Sequence, residues 1–158
     1  MTTGSSHLDH AVQTATVWLG ELMAILDWND RDRAYRALHT VLPALRDHLP
    51  AGQAAHLAAQ LPLIIRGLFF ESWKPDAEPL ADRGGDAFIA HIAQAFSQNG
   101  DAHPSEIASA VFALLERHIS AGEIQKVKQT LPEGVRRYWP PKPLPRATRE
   151  SFLYFRHL

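Results

Sequence analysis

With 158 residues, 46% of them apolar and 21% charged, the chain has the make-up of one ordinary globular domain, or of two small halves sharing a core. The absence of cysteine excludes disulfides, thiolate metal sites and thiol nucleophiles, and no apolar run approaches the ~20 residues of a membrane-spanning helix. Net charge is −1, yet residues 1–125 carry 8 Lys and Arg against 15 Asp and Glu, while 126–158 carry 8 against 2; an acidic body ends in a basic stretch.

No basic segment followed by an apolar core opens the chain, so no secretory signal is expected and the location expected is cytoplasmic. Residues 1–6 read as a disordered N-terminus. A first helix is predicted over His7–Asp27, with Ala11, Ala15, Trp18, Leu22 and Ile25 on its buried face. Asn29 or Asp30 caps a second, striped with Ala34, Leu38, Val41, Leu45 and Leu49. Pro43 falls inside that pattern and predicts a kink or an early break. Pro50 opens a third helix and Pro62 a fourth, ending near Trp73. Residues 74–85 lack periodicity and read as a linker.

The order then repeats. Phe88, Ile92, Ala95 and Phe96 line a fifth helix, and Pro104 opens a sixth, striped with Ile107, Val111, Leu114 and Leu115. Ser120 with Glu123 forms a capping box, a strong start signal for a seventh. Pro132 opens an eighth. No strand-length alternation and no hairpin dipeptide occurs, so the fold class expected is all-α.

The order repeats because the residues do. Residues 41–69 and 111–139 align without a gap at an offset of 70, sharing Val41/Val111, Leu45/Leu115, His48/His118, Ala51/Ala121, Gly52/Gly122, Leu61/Leu131, Pro62/Pro132 and Arg66/Arg136. The architecture expected is therefore two tandem four-helix units, related by internal duplication and packed as one globular bundle. The first unit spans 7–73 and the second 86–139. Leu-Pro marks a helix boundary, because proline disfavours the α conformation in the residue before it. The Ala-Gly pairs are expected to let the preceding helix end approach closely. His48 and His118 close the second helix of each unit, where an imidazole meets free carbonyls.

Chemistry is harder to find. His7 and His10 share a helix face, but no third ligand is near. No glutamate is followed three residues on by histidine, and no His-Glu-x-x-His, Gly-x-Ser-x-Gly or phosphate-loop string occurs. No metal, cofactor or catalytic residue is expected, and the chain reads as a non-enzyme. Arg66 and Arg136 are the sharpest polar signal. Each lies four residues after a helix-opening proline, and each either joins an internal ion pair, with Asp47 or Glu116 as partner, or touches a ligand. Phe69, Phe70 and Trp73 in one copy and Tyr138 and Trp139 in the other form either core or an association surface. The tail, 140–158, is a proline-rich spacer followed by Phe152, Leu153, Tyr154, Phe155 and Leu158. It docks either on its own body or on a partner.

The strings LRDHLP (45–50), AAHLAAQLPLIIRGLFFESW (54–73) and SAGEIQKVKQTLPEGVRRYW (120–139) resemble the bacterial family known as domain of unknown function 2267. The likeness covers about Leu8 to Trp139 and leaves out the tail. It implies a small, all-helical, duplicated and usually intracellular domain, sometimes attached to others. The family carries no established activity, so it assigns no catalytic residue. The reading is an interaction domain that binds a protein partner or a second copy, forming a homodimer in the latter case. Its binding residues would be Arg66, Phe69, Phe70, Trp73, Arg136, Tyr138, Trp139, Phe152, Tyr154 and Phe155. The alternative is an anion- or nucleic-acid-binding module that uses the basic C-terminal region.

Overall fold

The computed structural model describes residues 2–141, and every regular element among them is helical. The chain forms α1 (Ser6–Leu26), α2 (Arg31–Asp47), α3 (Ala51–Ala59), α4 (Leu63–Phe70), α5 (Asp86–Ala95), α6 (Pro104–His118), α7 (Ala121–Thr130) and α8 (Glu133–Arg136). None of these helices is long and apolar enough to cross a membrane. The expected docking residues Phe152, Tyr154 and Phe155 lie outside the described residues.

The core is organised around α2 and α6, which pack on each other. Leu38, Val41, Leu42 and Leu45 of α2 and Ile107, Val111, Phe112, Leu114 and Leu115 of α6 are fully buried. Burying each such side chain stabilises the fold by roughly 1.5–3 kcal/mol. The flanking helices are exchanged: α1 packs on α6 as well as α2, and α5 packs on α2 as well as α6. Helix α4 lies along α2, and α3 lies against α7. All eight helices share a single buried cluster.

Pro43 neither breaks nor shortens its helix. Helix α2 continues through it to Asp47, because the one lost hydrogen bond and ring clash, about 3 kcal/mol, are outweighed by the buried leucines on either side. The start of that helix is settled in favour of Asp30, whose Oδ1 accepts from the amides of Asp32 (3.0 Å) and Arg33 (3.3 Å). Residues 2–5, expected to fray, cap α1: the Thr3 amide donates to Asp9 Oδ1 at 2.7 Å, and Ser5 Oγ accepts from the Leu8 amide. Helix α4 stops at Phe70, not Trp73, and Ala95 on α5 is exposed.

The capping box at Ser120 is half as drawn. Its hydroxyl accepts from the Glu123 amide at 3.3 Å. The return bond is replaced by two contacts between α3 and α7: Gln60 Oε1 accepts from the Ser120 amide at 2.9 Å, and Gln53 donates to the Glu123 carboxylate. The start of α7 is therefore wired to the first half of the chain.

The Ala-Gly pairs do not allow a close approach. A Cβ on Gly52 or Gly122 would meet nothing within 4 Å. Close approach occurs instead where the linker crosses α8. A Cβ on Gly134 would stand 2.0 Å from the Gly84 carbonyl carbon, and one on Gly85 would stand 2.2 Å from the Gly134 oxygen. The Gly134 amide donates to Arg83 O at 2.8 Å, and Gly85 holds a left-handed φ of 76°. Three glycines thus seat the linker against the last helix. Gly134→Ala should therefore cost about 1–3 kcal/mol through overpacking, whereas Gly52→Ala should be neutral or stabilise by up to about 1 kcal/mol. Thermal melts followed by circular dichroism check both; equal melting temperatures for the two variants would refute the crossing.

Candidate functional site

Arg66 and Arg136 are helix caps. Arg66 Nη2 donates to Leu61 O at 2.8 Å, and its Nε donates to Ala58 O at 3.0 Å and to Leu61 O at 3.2 Å, at the open C-terminal end of α3. Arg136 Nη1 donates to Lys128 O, 3.4 Å away, near the end of α7. Four carbonyls at each helix end lack an internal donor, and a guanidinium fork supplies one. Neither arginine pairs with Asp47 or Glu116.

The aromatic residues separate into core and rim. Phe69 is fully buried, and Trp139 is buried with its ring stacked on Phe112 at 4.4 Å. Both contribute to the core, so α4 and α8 do not display them as an outward patch. Phe70 and Trp73 are half-buried and tilt against each other at 5.0 Å. Tyr138 is half-buried, 6.1 Å from the ring of Phe88.

Two hollows open beside the segment that follows α4, one on each side of Leu80. The smaller, of about 300 Å³, has Trp73, Pro75, Pro79 and Leu80 in its wall. The larger, of about 700 Å³, lies between α2, α5 and residues 71–80, with Pro43, Ala44, Leu80, Ala87 and Phe88 as its apolar walls. Arg46, Asp47, Ser72 and Leu80 line both. The Leu80 amide donates to Asp47 O at 2.9 Å, so residues 71–85 form a strap tied across the end of α2.

Arg46 fixes where the strap begins. Its side chain is 4% exposed; Nη1 donates to Phe69 O (3.0 Å) and Glu71 O (2.7 Å), while Nε and Nη2 donate to Asp47 Oδ1 (2.9 and 2.8 Å). The sequence reading passed over this residue, although Arg46 falls four after Leu42 and three before Leu49, on a buried stripe. The turn it anchors is type II: Glu71 has φ −57° and ψ 127°, Ser72 has φ 60°, and the Trp73 amide donates to Phe70 O at 3.0 Å. Glycine is the residue such a position favours, so serine holds a strained backbone between the two hollows.

One histidine–carboxylate pair lines the larger hollow, and a second reaches it through its histidine. His39 Nε2 meets the Glu71 carboxylate. His48 is buried; its Nδ1 contacts Ala44 O at 2.7 Å and its Nε2 contacts Asp82 Oδ2 at 3.0 Å. Both neighbours carry acceptor oxygens. Asp82 also accepts from the amides of Ala87 (3.2 Å) and Phe88 (2.9 Å) at the start of α5. Burial alone would raise its carboxyl, but the Phe88 and Ala87 amides and His48 together hold it below the ordinary 3.8. His39 is thus engaged with Glu71 and His48 with Asp82, while His91 also lines the hollow beside the apolar Pro43, Ala44, Leu80, Ala87 and Phe88.

Two measurements test this geometry. A depressed carboxyl stabilises the fold above its unfolded value and loses that stabilisation as pH falls through the folded value. Asp82→Asn should therefore cost about 1–2 kcal/mol near neutrality, and the gap from the parent should narrow in urea melts below about pH 4; a constant gap would disprove the role. Ser72→Gly should raise stability by up to about 1 kcal/mol by relieving the left-handed serine, and a loss of stability would show that the hydroxyl holds the turn.

No curated protein matches the chain. Residues 15–138 match the family described as uncharacterized conserved protein, DUF2267, and the chain belongs to that family.

Proposed function

We propose that this protein is a non-enzymatic interaction domain, built by tandem duplication of one helical unit, that takes an extended basic segment of a protein partner in the larger hollow. Equivalent contacts seventy residues apart support the duplication. Pro50 and Ser120 open their helices at φ −56°, ψ 146° and φ −58°, ψ 146°. The amides of Arg66 and Arg136 donate to Pro62 O and Pro132 O at 2.8 and 2.9 Å. Their guanidiniums reach Ala58 O and Lys128 O. Phe88 meets His48 at 5.6 Å, while Trp18 meets His118 at 4.4 Å; this exchange lets each unit shelter the other.

The observation that carries the binding reading is the larger hollow itself. It has the size of a ligand site, and Pro43, Ala44, Leu80, Ala87 and Phe88 give it an apolar wall beside the His39–Glu71 pair. The strap beside it, of whose acidic residues Glu71 lines the hollow, favours one kind of partner. Residues 71–86 carry Glu71, Asp76, Glu78, Asp82 and Asp86 against Lys74 and Arg83, so an approaching cationic segment is favoured. An aliphatic or aromatic side chain of that segment would seat against Pro43, Leu80 and Phe88. Among the described residues of the expected binding set, Trp73 is the one that lines either hollow, and it extends the surface past Leu80.

The test is selection of displayed random peptides against the intact chain, followed by titration of the best peptide into ¹⁵N-labelled protein. The expected peptides carry Arg or Lys beside an apolar residue, and they shift the amides of Leu80, Phe88 and His91. Ala87→Arg, at an exposed wall position, should weaken binding about tenfold, or ~1.4 kcal/mol. Peptides without basic enrichment, or shifts centred on the exposed Leu8 and Val12 of α1, would sink the proposal.

A further inference from the structure

We infer that Glu71 receives a cationic side chain of the bound segment, and that His39 occupies its carboxylate until the segment arrives. The two compete for one acceptor, so protonation of His39 weakens binding. The inference rests on the reading of the larger hollow as the site of an extended basic segment. Among the described residues, two carboxylates line that hollow, Asp47 and Glu71. Asp47 is committed: its Oδ1 accepts from Arg46 Nε at 2.9 Å and from Arg46 Nη2 at 2.8 Å. Glu71 meets the ring of His39 through Nε2.

The two histidine–carboxylate pairs beside the hollow differ in access. In the His48–Asp82 pair the side chains are 2% and 12% exposed, and Asp82 also accepts from the amides of Ala87 and Phe88. That pair is shut. In the His39–Glu71 pair they are 46% and 55% exposed, so an incoming group reaches the carboxylate without unfolding anything. Its position is nevertheless fixed. Arg46 Nη1 holds Glu71 O at 2.7 Å, and the turn at Ser72 follows at once. An anchored backbone thus presents an acceptor whose present partner can leave.

Charge decides which partner wins. Arg and Lys stay protonated across the range in which an imidazole changes charge, and carboxylates titrate below it. A neutral imidazole offers a carboxylate an ordinary hydrogen bond, which a charge-assisted bond from Arg or Lys replaces at a gain. A protonated imidazole makes an ion pair of its own, and the segment must break it. The other titratable or charged groups around His39 are few. On α2 the ring of Tyr35 stands 6.1 Å away, and Arg46, Asp47 and His48 line the same hollow. Helix α5 contributes His91, whose protonation also opposes a cation, while α1 and α6, although packed on α2, contribute no residue to the hollow.

The test titrates the capped peptide Leu-Arg-Leu-Arg into the ¹⁵N-labelled full-length chain at about pH 7.5 and about pH 5.5. The amides of Leu80, Phe88 and His91 report the hollow. Binding is expected to be about fivefold weaker at the lower pH, the scale of one exposed ion pair. Glu71→Gln should weaken binding by about the same factor at the higher pH. His39→Gln keeps a hydrogen-bonding side chain that does not titrate, so it should bind as the parent does at high pH and lose most of the pH dependence. His91→Gln should keep that dependence. Both members of the pair are half exposed, so these variants fold, and thermal melts verify it. Equal affinity at the two pH values, parent-like binding by Glu71→Gln, or a pH dependence that survives in His39→Gln and vanishes in His91→Gln would each overturn the inference. Those outcomes leave the hollow standing as a binding site. Absence of shifts there at either pH would remove the site and the inference together.

Discussion

A buried guanidinium holds the functional surface in shape. Helix α4 ends with carbonyls that its own backbone cannot satisfy, and Arg46 reaches across from α2 to take two of them, at Phe69 and Glu71. The need is mutual. A cation 4% exposed would be costly to bury alone, and the same carbonyls, with Asp47 behind them, are what make it tolerable. Lysine would not reproduce this, because its compact ammonium lacks the separated Nε, Nη1 and Nη2 donors that reach Asp47 on one side and two carbonyls on the other. From this clamp follow the turn at Ser72, the direction of the strap and the tie from Leu80 to Asp47. Both hollows are bounded by the result.

The helices were legible in the sequence because prolines, caps and apolar stripes are local signals. Pro50, Pro62, Pro104 and Pro132 each stand at or beside a helix start, where a missing amide hydrogen costs nothing. The errors came where a local rule met a tertiary contact. Pro43 reads as a breaker, yet the buried leucines around it keep α2 whole. Gly52 and Gly122 read as close-approach residues because they recur, but they face open space, and the close approach falls on Gly134, which does not recur. The return half of the capping box is absent because Gln60 and Gln53 arrive from another helix. Arg66 drew attention by its repetition and turned out to serve the ends of its own unit. Arg46, standing once and hidden on an apolar stripe, forms the clamp. Repetition points to scaffolding; the features that shape a surface are those that one copy has and the other lacks.

That distinction is visible where the aligned segments differ. The Arg46–Asp47 pair has Glu116–Arg117 at the corresponding place, and Ile64 has Gly134. The first change removes the clamp that starts the strap. The second opens α8 so that the linker can cross it, with the Gly134 amide bonded to Arg83 O. Once the linker occupies that side of α8, the two halves cannot carry the same outer layer. The end of α2 is bordered by an acidic strap that runs on into α5. The cleft beside it is shaped by Arg46, and the residue seventy positions on is Glu116, which can supply no such donors.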